Sequence, residues 1–179
     1  MVFVMRAICF LTFCSAISCS NSQTRQQQRL NTTEIPFETS VEMNRRMVAE
    51  EQEDIEQYIS DNALDMKRTE TGLWYSIADE GSGGAIVKGK VVVLNYTVKL
   101  LDGSPLYSSD ESGVKEFLVG QGGVESGLEE GILMLKKGSK ASFIMPPHLA
   151  HGLVGDDDKI PSRAILVYEI EVLDVKDNK

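Results

Sequence analysis

Cysteine is nearly absent: the chain has three, Cys9, Cys14 and Cys19, all within its first 19 residues. No disulfide framework or cysteine metal site can hold the remainder together, so its stability has to come from packing. Positive charge is also scarce. Eighteen Lys and Arg stand against 27 Asp and Glu, a net charge of -9, which argues against nucleic acid as a partner because a phosphate backbone needs a basic face. The apolar run AICFLTFCSAI near the start is too short to span a bilayer comfortably. Two histidines, His148 and His151, lie near Asp156, Asp157 and Asp158. On an irregular loop they give no preset metal geometry, and the acids lack calcium-loop spacing, so no metal is expected. Ser108, Ser109 and Ser112 have no histidine at a motif spacing, which leaves hydrolase chemistry unsupported. The glycine cluster Gly81–Gly84 lacks the following helix that a dinucleotide site requires, and no cofactor is expected.

What is present divides into four parts. Residues 1–18 carry one charge, Arg6, ahead of the apolar run, the pattern of a secretory signal. They lead into Ala16-Ile17-Ser18-Cys19, which resembles the lipobox of bacterial lipoproteins, with Ala16 where leucine is commoner. Lipidation at Cys19, and a membrane anchor through it, is therefore expected. Residues 19–40 are rich in Ser, Thr, Asn and Gln and too poor in apolar groups to order themselves, which predicts a flexible tether. In residues 41–66, Met47, Val48, Ile55, Tyr58, Ile59 and Ala63 recur at helical spacing among acidic residues, predicting an amphipathic helix. Its apolar stripe has three possible covers: the following domain, a second copy in a homodimer, or another partner. Residues 69–176 hold the folded domain.

That domain is organised around FLVGQGGVESGLEEGILMLKKG, Phe117 to Gly138. Ser126 with Glu129 reads as a capping box, Lys136 and Lys137 as the basic end of the helix, and Gly138 as its left-handed stop. Leu128, Ile132 and Leu135 make an apolar face that is marginal alone and must be wrapped by strands. The wrappers are legible. LWYSIA is a short strand, and VVVLNYTVKLL alternates, with Val92, Leu94, Tyr96, Val98 and Leu100 on one face. KASFIM stops at Pro146-Pro147, and AILVYEIEVLDV turns Leu166, Tyr168, Ile170 and Val172 one way. Strands on both sides of one buried helix predict an α+β arrangement, an antiparallel sheet curled over the helix.

The order of these pieces, VVVLNYTVKLLDG, F-x-x-G, V-x-x-G-x-E-E-G, K-x-G, H-L-A-H-G, K-I-P and A-x-L-V-Y-E-I-E-V-L, resembles the FKBP-type peptidyl-prolyl isomerase domain from about Leu73 to Val175. More narrowly, the lipobox-like start, the acidic helix and the loop HGLVGDDDKIP resemble FKBP-like lipoproteins associated with gliding motility in Bacteroidetes. The resemblance implies a five- or six-stranded antiparallel sheet around a helix from Ser126 to Leu135, with an apolar cleft between them. It places the pocket on Tyr96, Leu106, Tyr107, Lys115, Val124, Glu125, Leu128, His151, Ile160 and Tyr168. Of these, Tyr96, Tyr107, His151 and Tyr168 are the implied catalytic set, and Leu106, Val124, Glu125, Leu128 and Ile160 the substrate-binding set.

Only Tyr96, Val124, Ile160 and Tyr168 keep the family character. Leu106-Tyr107 replace a phenylalanine and an aspartate, Lys115 an aromatic, Glu125 an isoleucine, Leu128 the tryptophan floor, and His151 a tyrosine. Isomerisation crosses a barrier of roughly 18–20 kcal/mol and needs a dry cleft with a few fixed donors. The family's substrate-holding donor is the backbone N–H at Glu125, and a backbone donor survives any side chain. The implied partners are proline-containing exported polypeptides. Two readings stay open: an isomerase of the cell envelope, and a catalytically weak binding or chaperone module on the same fold.

Overall fold

The acidic amphipathic stretch forms helix α1 (Phe37–Asp61) in a computed structural model that describes residues 37–178. Cys19, the leader and the tether up to residue 36 lie outside the described residues. The helix starts four residues before the expected Val41 and stops five short of the expected Met66. Its end has a local cause: the Asn62 backbone N–H and side-chain amide both donate to the Tyr58 carbonyl, at 3.1 and 2.8 Å, and Ala63 turns left-handed at φ +49°.

Ten further elements follow: β1 (Lys67–Arg68), β2 (Trp74–Asp79), β3 (Lys90–Leu100), β4 (Pro105–Ser108), α2 (Ser109–Ser112), β5 (Lys115–Leu118), α3 (Ser126–Ile132), β6 (Lys140–Met145), a 3₁₀ turn (Pro147–Leu149) and β7 (Leu166–Asp177). All strand pairs are antiparallel, in the order β1-β2-β6-β7-β3-β4, with β5 also paired to β3. The sheet has seven strands, one more than the upper expectation, because two-residue β1 pairs with the start of β2.

One edge of β3 serves two partners in succession. Thr97 to Lys99 pair with β4, and Val91 to Leu94 pair with β5. Between them, opposite Tyr96, α2 interrupts the strand. Ser109 repairs the gap: its hydroxyl accepts from the Tyr96 N–H at 3.2 Å and lies 3.4 Å from the Tyr96 carbonyl. The backbone groups of Tyr96 thus keep a partner where the ladder breaks.

The alternation read in the sequence sets the two faces of the sheet. Val92, Leu94 and Val98 of β3, Ala141, Phe143 and Met145 of β6, and Leu166, Tyr168, Ile170 and Val172 of β7 form the main core with Leu128, Ile132 and Leu135. The opposite face has its own cluster. Ile144 and Val167, with Ile165, pack on Ile55 of α1, joined by Tyr58, Ile59 and Trp74. The following domain therefore covers the C-terminal half of the helix stripe, and a Glu51–Arg163 ion pair fixes it at the loop before β7. From Arg45 onward the described chain is one compact unit.

Helix α3 departs from the expected plan at both ends. Its N-cap is Glu125, without a side-chain capping bond. No capping box forms: the Ser126 hydroxyl donates to the Leu149 carbonyl at 3.4 Å, and Glu129 instead accepts from the backbone N–H groups of Gly120 and Gly122 at 2.8 and 3.2 Å. The glutamate clamps the glycine turn ahead of the helix. At the other end the α-helix stops at Ile132, and Met134 and Leu135 bond back three residues, to Gly131 and Ile132. The chain is then drawn off to pair with the segment at Ala85–Ile86, so Lys136 and Lys137 do not cap a helix. Gly138 is left-handed as expected, at φ +88°, but it serves the turn from Lys136 to Ser139.

Two glycines set how closely α3 lies on the sheet. A Cβ at Gly131 would stand 2.6 Å from the Phe143 ring, and one at Gly127 2.9 Å from the Met145 sulfur. They are one turn apart, on the face that meets β6.

Candidate functional site

Of the ten expected pocket positions, Glu125 at the N-terminus of α3 gathers Lys115, His151 and Tyr168, and Lys115 in turn meets the Tyr96 ring; the other five, Leu106, Tyr107, Val124, Leu128 and Ile160, lie in or against the main core. Leu106, Leu128, Ile160 and Tyr168 are buried in the main core. Tyr96, Tyr107 and Val124 pack against that core with part of their surface open, and His151 is partly exposed beside them. β3 supplies Tyr96, β4 Leu106 and Tyr107, β5 Lys115, α3 and its approach Val124, Glu125 and Leu128, and β7 Tyr168. The loop between the 3₁₀ turn and β7 supplies His151 and Ile160. Phe117, on the same side of β5 as Lys115, packs against the core and does not join the site.

At the centre is a carboxylate, that of Glu125, for which only the backbone N–H had an expected role. Glu125 is 7% exposed. It accepts from the Tyr168 hydroxyl, its Oε1 is 3.1 Å from His151 Nε2, and its Oε2 is 3.5 Å from Lys115 Nζ. The Lys115 ammonium also lies 5.5 Å from the centre of the Tyr96 ring, a cation–π contact. Burial pushes the Glu125 carboxyl upward, but Lys115, Tyr168, its own backbone N–H and His151 outweigh that and hold it below the usual carboxylate range. It is ionised at neutral pH. Tyr168 is pushed the other way, first by burial and then by the adjacent carboxylate, and stays a neutral donor far into alkali.

A second polar group closes the opposite wall. The Tyr107 hydroxyl donates to Asp156, with Asp158 Oδ2 at 3.1 Å and the Lys159 ammonium 5.1 Å from the ring centre. Asp156 in turn accepts from the Ile160 and Asp158 backbone N–H groups, at 2.7 and 3.0 Å. The hydrogen bond to Asp156 is the main reason the Tyr107 phenol is pushed up to about 12. Where the family pattern has an aspartate at this strand position, the chain has a tyrosine and returns a carboxylate from the loop. The residue type at Asp156 was visible, but its partner is 49 positions away and no spacing rule links them.

The two histidines go different ways. His148 Nε2 lies 2.9 Å from the Thr71 carbonyl, on the sheet margin, and His151 faces Glu125. No group of three or more metal-ligating side chains occurs among the described residues. A groove of about 390 Å³ lies on the other face of the sheet, lined by Asn95, Thr97, Lys140, Ser142, Glu169 and Glu171 among others. Its lysine is paired, Lys140 with Glu171 at 3.3 Å, and of the expected site residues only Tyr96 borders it. At the α3 end, by contrast, buried apolar residues and convergent polar side chains coincide.

An antiparallel sheet with one short helix across its inner face, and an apolar site at the helix N-terminus ringed by tyrosines, defines an FKBP-type fold. The model of the family described as FKBP-type peptidyl-prolyl cis-trans isomerase matches residues 83–173, just over half of the chain, and the chain belongs to that family. A probable FKBP-type peptidyl-prolyl cis-trans isomerase of Haemophilus influenzae is 39% identical over 112 residues, 62% of this chain and 46% of the relative. The FKBP-type peptidyl-prolyl cis-trans isomerase FkpA of Escherichia coli K12 is 37% identical over 111 residues, 62% of this chain and 40% of the relative. The chain thus spans less than half the length of these curated relatives. The crystal structure of FkpA from Escherichia coli matches with a TM-score of 0.63 and 30% identity, covering 89% of this chain and 74% of that one. AtFKBP13 matches at 0.59 and 30% identity, over 62% of this chain and 98% of its own. Among the described residues no helix is long and apolar enough to cross a membrane.

Proposed function

We propose that the chain is a peptidyl-prolyl cis-trans isomerase of the cell envelope, acting on Xaa-Pro bonds of exported polypeptides from a lipid anchor at Cys19. One observation supports the reading: of the positions that keep the family's residues, Ile160 and Tyr168 are buried in the main core, and Tyr96 and Val124 pack against that same core with part of their surface open. Such a site suits a twisted amide, which has lost resonance and with it part of its need for water. The carbonyl oxygen is then held by donors already in place, without a nucleophile, metal or cofactor. The resemblance to gliding-associated lipoproteins adds components of a gliding machinery to the proposed clients.

The test is exchange spectroscopy on Leu-Pro, Glu-Pro and Lys-Pro peptides with the purified protein. Acceleration that is lost in a folded Tyr96→Ala variant supports the reading. A folded protein that accelerates none of the peptides refutes it. The alternative, a binding or chaperone module with weak catalysis, is favoured by Leu128: it is 1% exposed at the floor position and offers less flat area to a proline than an aromatic ring. Peptide-induced shifts without acceleration would favour it.

Two further proposals concern attachment. Cys19→Ser should move the protein from the membrane to the soluble fraction, and unchanged partitioning refutes lipidation. Met43 and Val48 on α1 are 46% and 44% exposed, which motivates a homodimer through the free part of the stripe. Sedimentation showing only monomer well above micromolar concentration removes it.

A further inference from the structure

Three polar side chains of the site converge on one acceptor, and that acceptor belongs to the protein. The Tyr168 hydroxyl donates to Glu125, His151 Nε2 stands 3.1 Å from Oε1, and Lys115 Nζ stands 3.5 Å from Oε2. The side chain is not held there to cap α3, since no capping bond forms. Its Oε2 is buried and receives no hydrogen bond from the described residues, so that oxygen is held by charge attraction alone. An oxygen acceptor surrounded by a phenol, an imidazole and an ammonium occupies the place where a bound amide carbonyl has to sit, because a carbonyl seeks the same donors.

We infer that Glu125 is an internal competitor of the substrate: its carboxylate fills the carbonyl position of the site, and a proline-containing segment binds only after the side chain has swung aside. The inference rests on the proposed isomerase reading for the identity of the ligand. Competition of this kind lowers apparent affinity by the fraction of molecules that are open; an open fraction of about 1–10% weakens binding about 10- to 100-fold. The carboxylate thereby sets how selective the site is, since only segments that fill the apolar floor well can displace it. Lys115 is the lever, because its half-buried ammonium is what holds Oε2 inward.

Glu125→Ala and the near-isosteric Glu125→Gln test this in the full protein, with kcat/KM and KM for a Leu-Pro peptide from exchange spectroscopy. The expected result is a rise of at least about tenfold in Glu125→Ala, carried mainly by KM, with Glu125→Gln between it and the native protein. A carboxylate that served structure alone gives no such gain; unchanged or reduced kcat/KM in both folded variants overturns the inference. If Glu125→Ala does not fold, Glu125→Gln alone decides, by a rise or its absence. If neither the native protein nor a variant accelerates any peptide, the isomerase reading fails. The competitor is then read from peptide affinity by shift titration. Tighter binding in the order native, Gln, Ala supports it; equal affinities, or no binding by the emptied site, overturn it.

Discussion

Gly131 and Gly127 share the face of α3 that meets β6, yet alanine at the two positions should have different consequences. In a helix interior, Gly→Ala contributes about 1 kcal/mol of stability through lower backbone entropy in the unfolded chain and better propensity. Against that stands the space available. At Gly131 the added methyl meets two Phe143 ring carbons at 2.6 Å and a third at 3.0 Å, and Phe143 is fully buried on the central face of β6. A ring so enclosed cannot rotate away, so the helix must lift, and overpacking of this kind costs about 1–3 kcal/mol. Gly131→Ala should therefore be destabilised by up to about 2 kcal/mol net. At Gly127 the nearest atoms are the sulfur and Cγ of Met145, at 2.9 and 3.0 Å, and the Leu149 carbonyl oxygen, which at 3.1 Å has to give by only a few tenths of an ångström. A thioether side chain can shift its rotamers, so Gly127→Ala should lie within about 1 kcal/mol of the native protein. Urea unfolding at constant m-value measures both. The double variant Gly131→Ala with Phe143→Leu should recover part of the loss relative to Phe143→Leu alone, since the ring that opposes the methyl is gone. Equal or greater stability of Gly131→Ala than of the native protein would refute the claim that glycine sets the helix–sheet distance.

Ile55→Ala should cost about 2–5 kcal/mol, because Ile55 is 2% exposed at the centre of the cluster joining α1 to the sheet; a loss below about 1 kcal/mol in urea would mean the helix is not docked there. Glu129→Ala removes the acceptor of two backbone N–H groups and should cost about 1–3 kcal/mol, with faster hydrogen exchange at Gly120 and Gly122; unchanged exchange there would refute the clamp. Glu125 has a folded-state pKa below its ordinary value, so its stabilisation is present above the unfolded carboxylate pKa and is lost as pH falls through the lower, folded one. The stability gap between native protein and Glu125→Gln should narrow as pH drops below about 4, and a gap independent of pH would show that the charge is not what the site holds.

The sequence carried the fold well because the fold depends on period and punctuation. Alternation in β3, β6 and β7 located the core face residue by residue, and Pro146-Pro147 marked the end of β6 where it falls. The helix caps failed for a reason that composition does not show. Ser126 and Glu129 have capping-box spacing, but Leu149 and the glycine turn lie within reach, and tertiary partners displaced the local ones. The cover of the outer face had a signal that went unread. Ile144 and Val167 are apolar at positions where the strand alternation calls for polar residues, and that is the imprint of α1 lying across them.

The site was legible in its apolar half and illegible in its polar half, and the division is physical. Leu128 and Tyr168 stand on faces whose periodicity is legible in the sequence and are buried accordingly, whereas Leu106, Val124 and Ile160 were implied only by the family resemblance and lie in or against the main core. Polar groups are fixed by partners from other elements: Lys115 on β5, His151 on the loop and the Tyr168 hydroxyl on β7 find Glu125 only once the sheet has closed. Each change from the family pattern looks like a loss when taken alone. Taken together, Lys115, Glu125 and His151 compensate one another, since a buried carboxylate is tolerable only with a cation and donors around it. The same compensation makes the site sensitive as a unit. Altering Lys115 strands Glu125, and altering Glu125 frees Tyr168 and His151 for another acceptor. The effects of these substitutions should therefore be strongly non-additive, and the activity of the chain will follow the state of the cluster more than the identity of any one of its members.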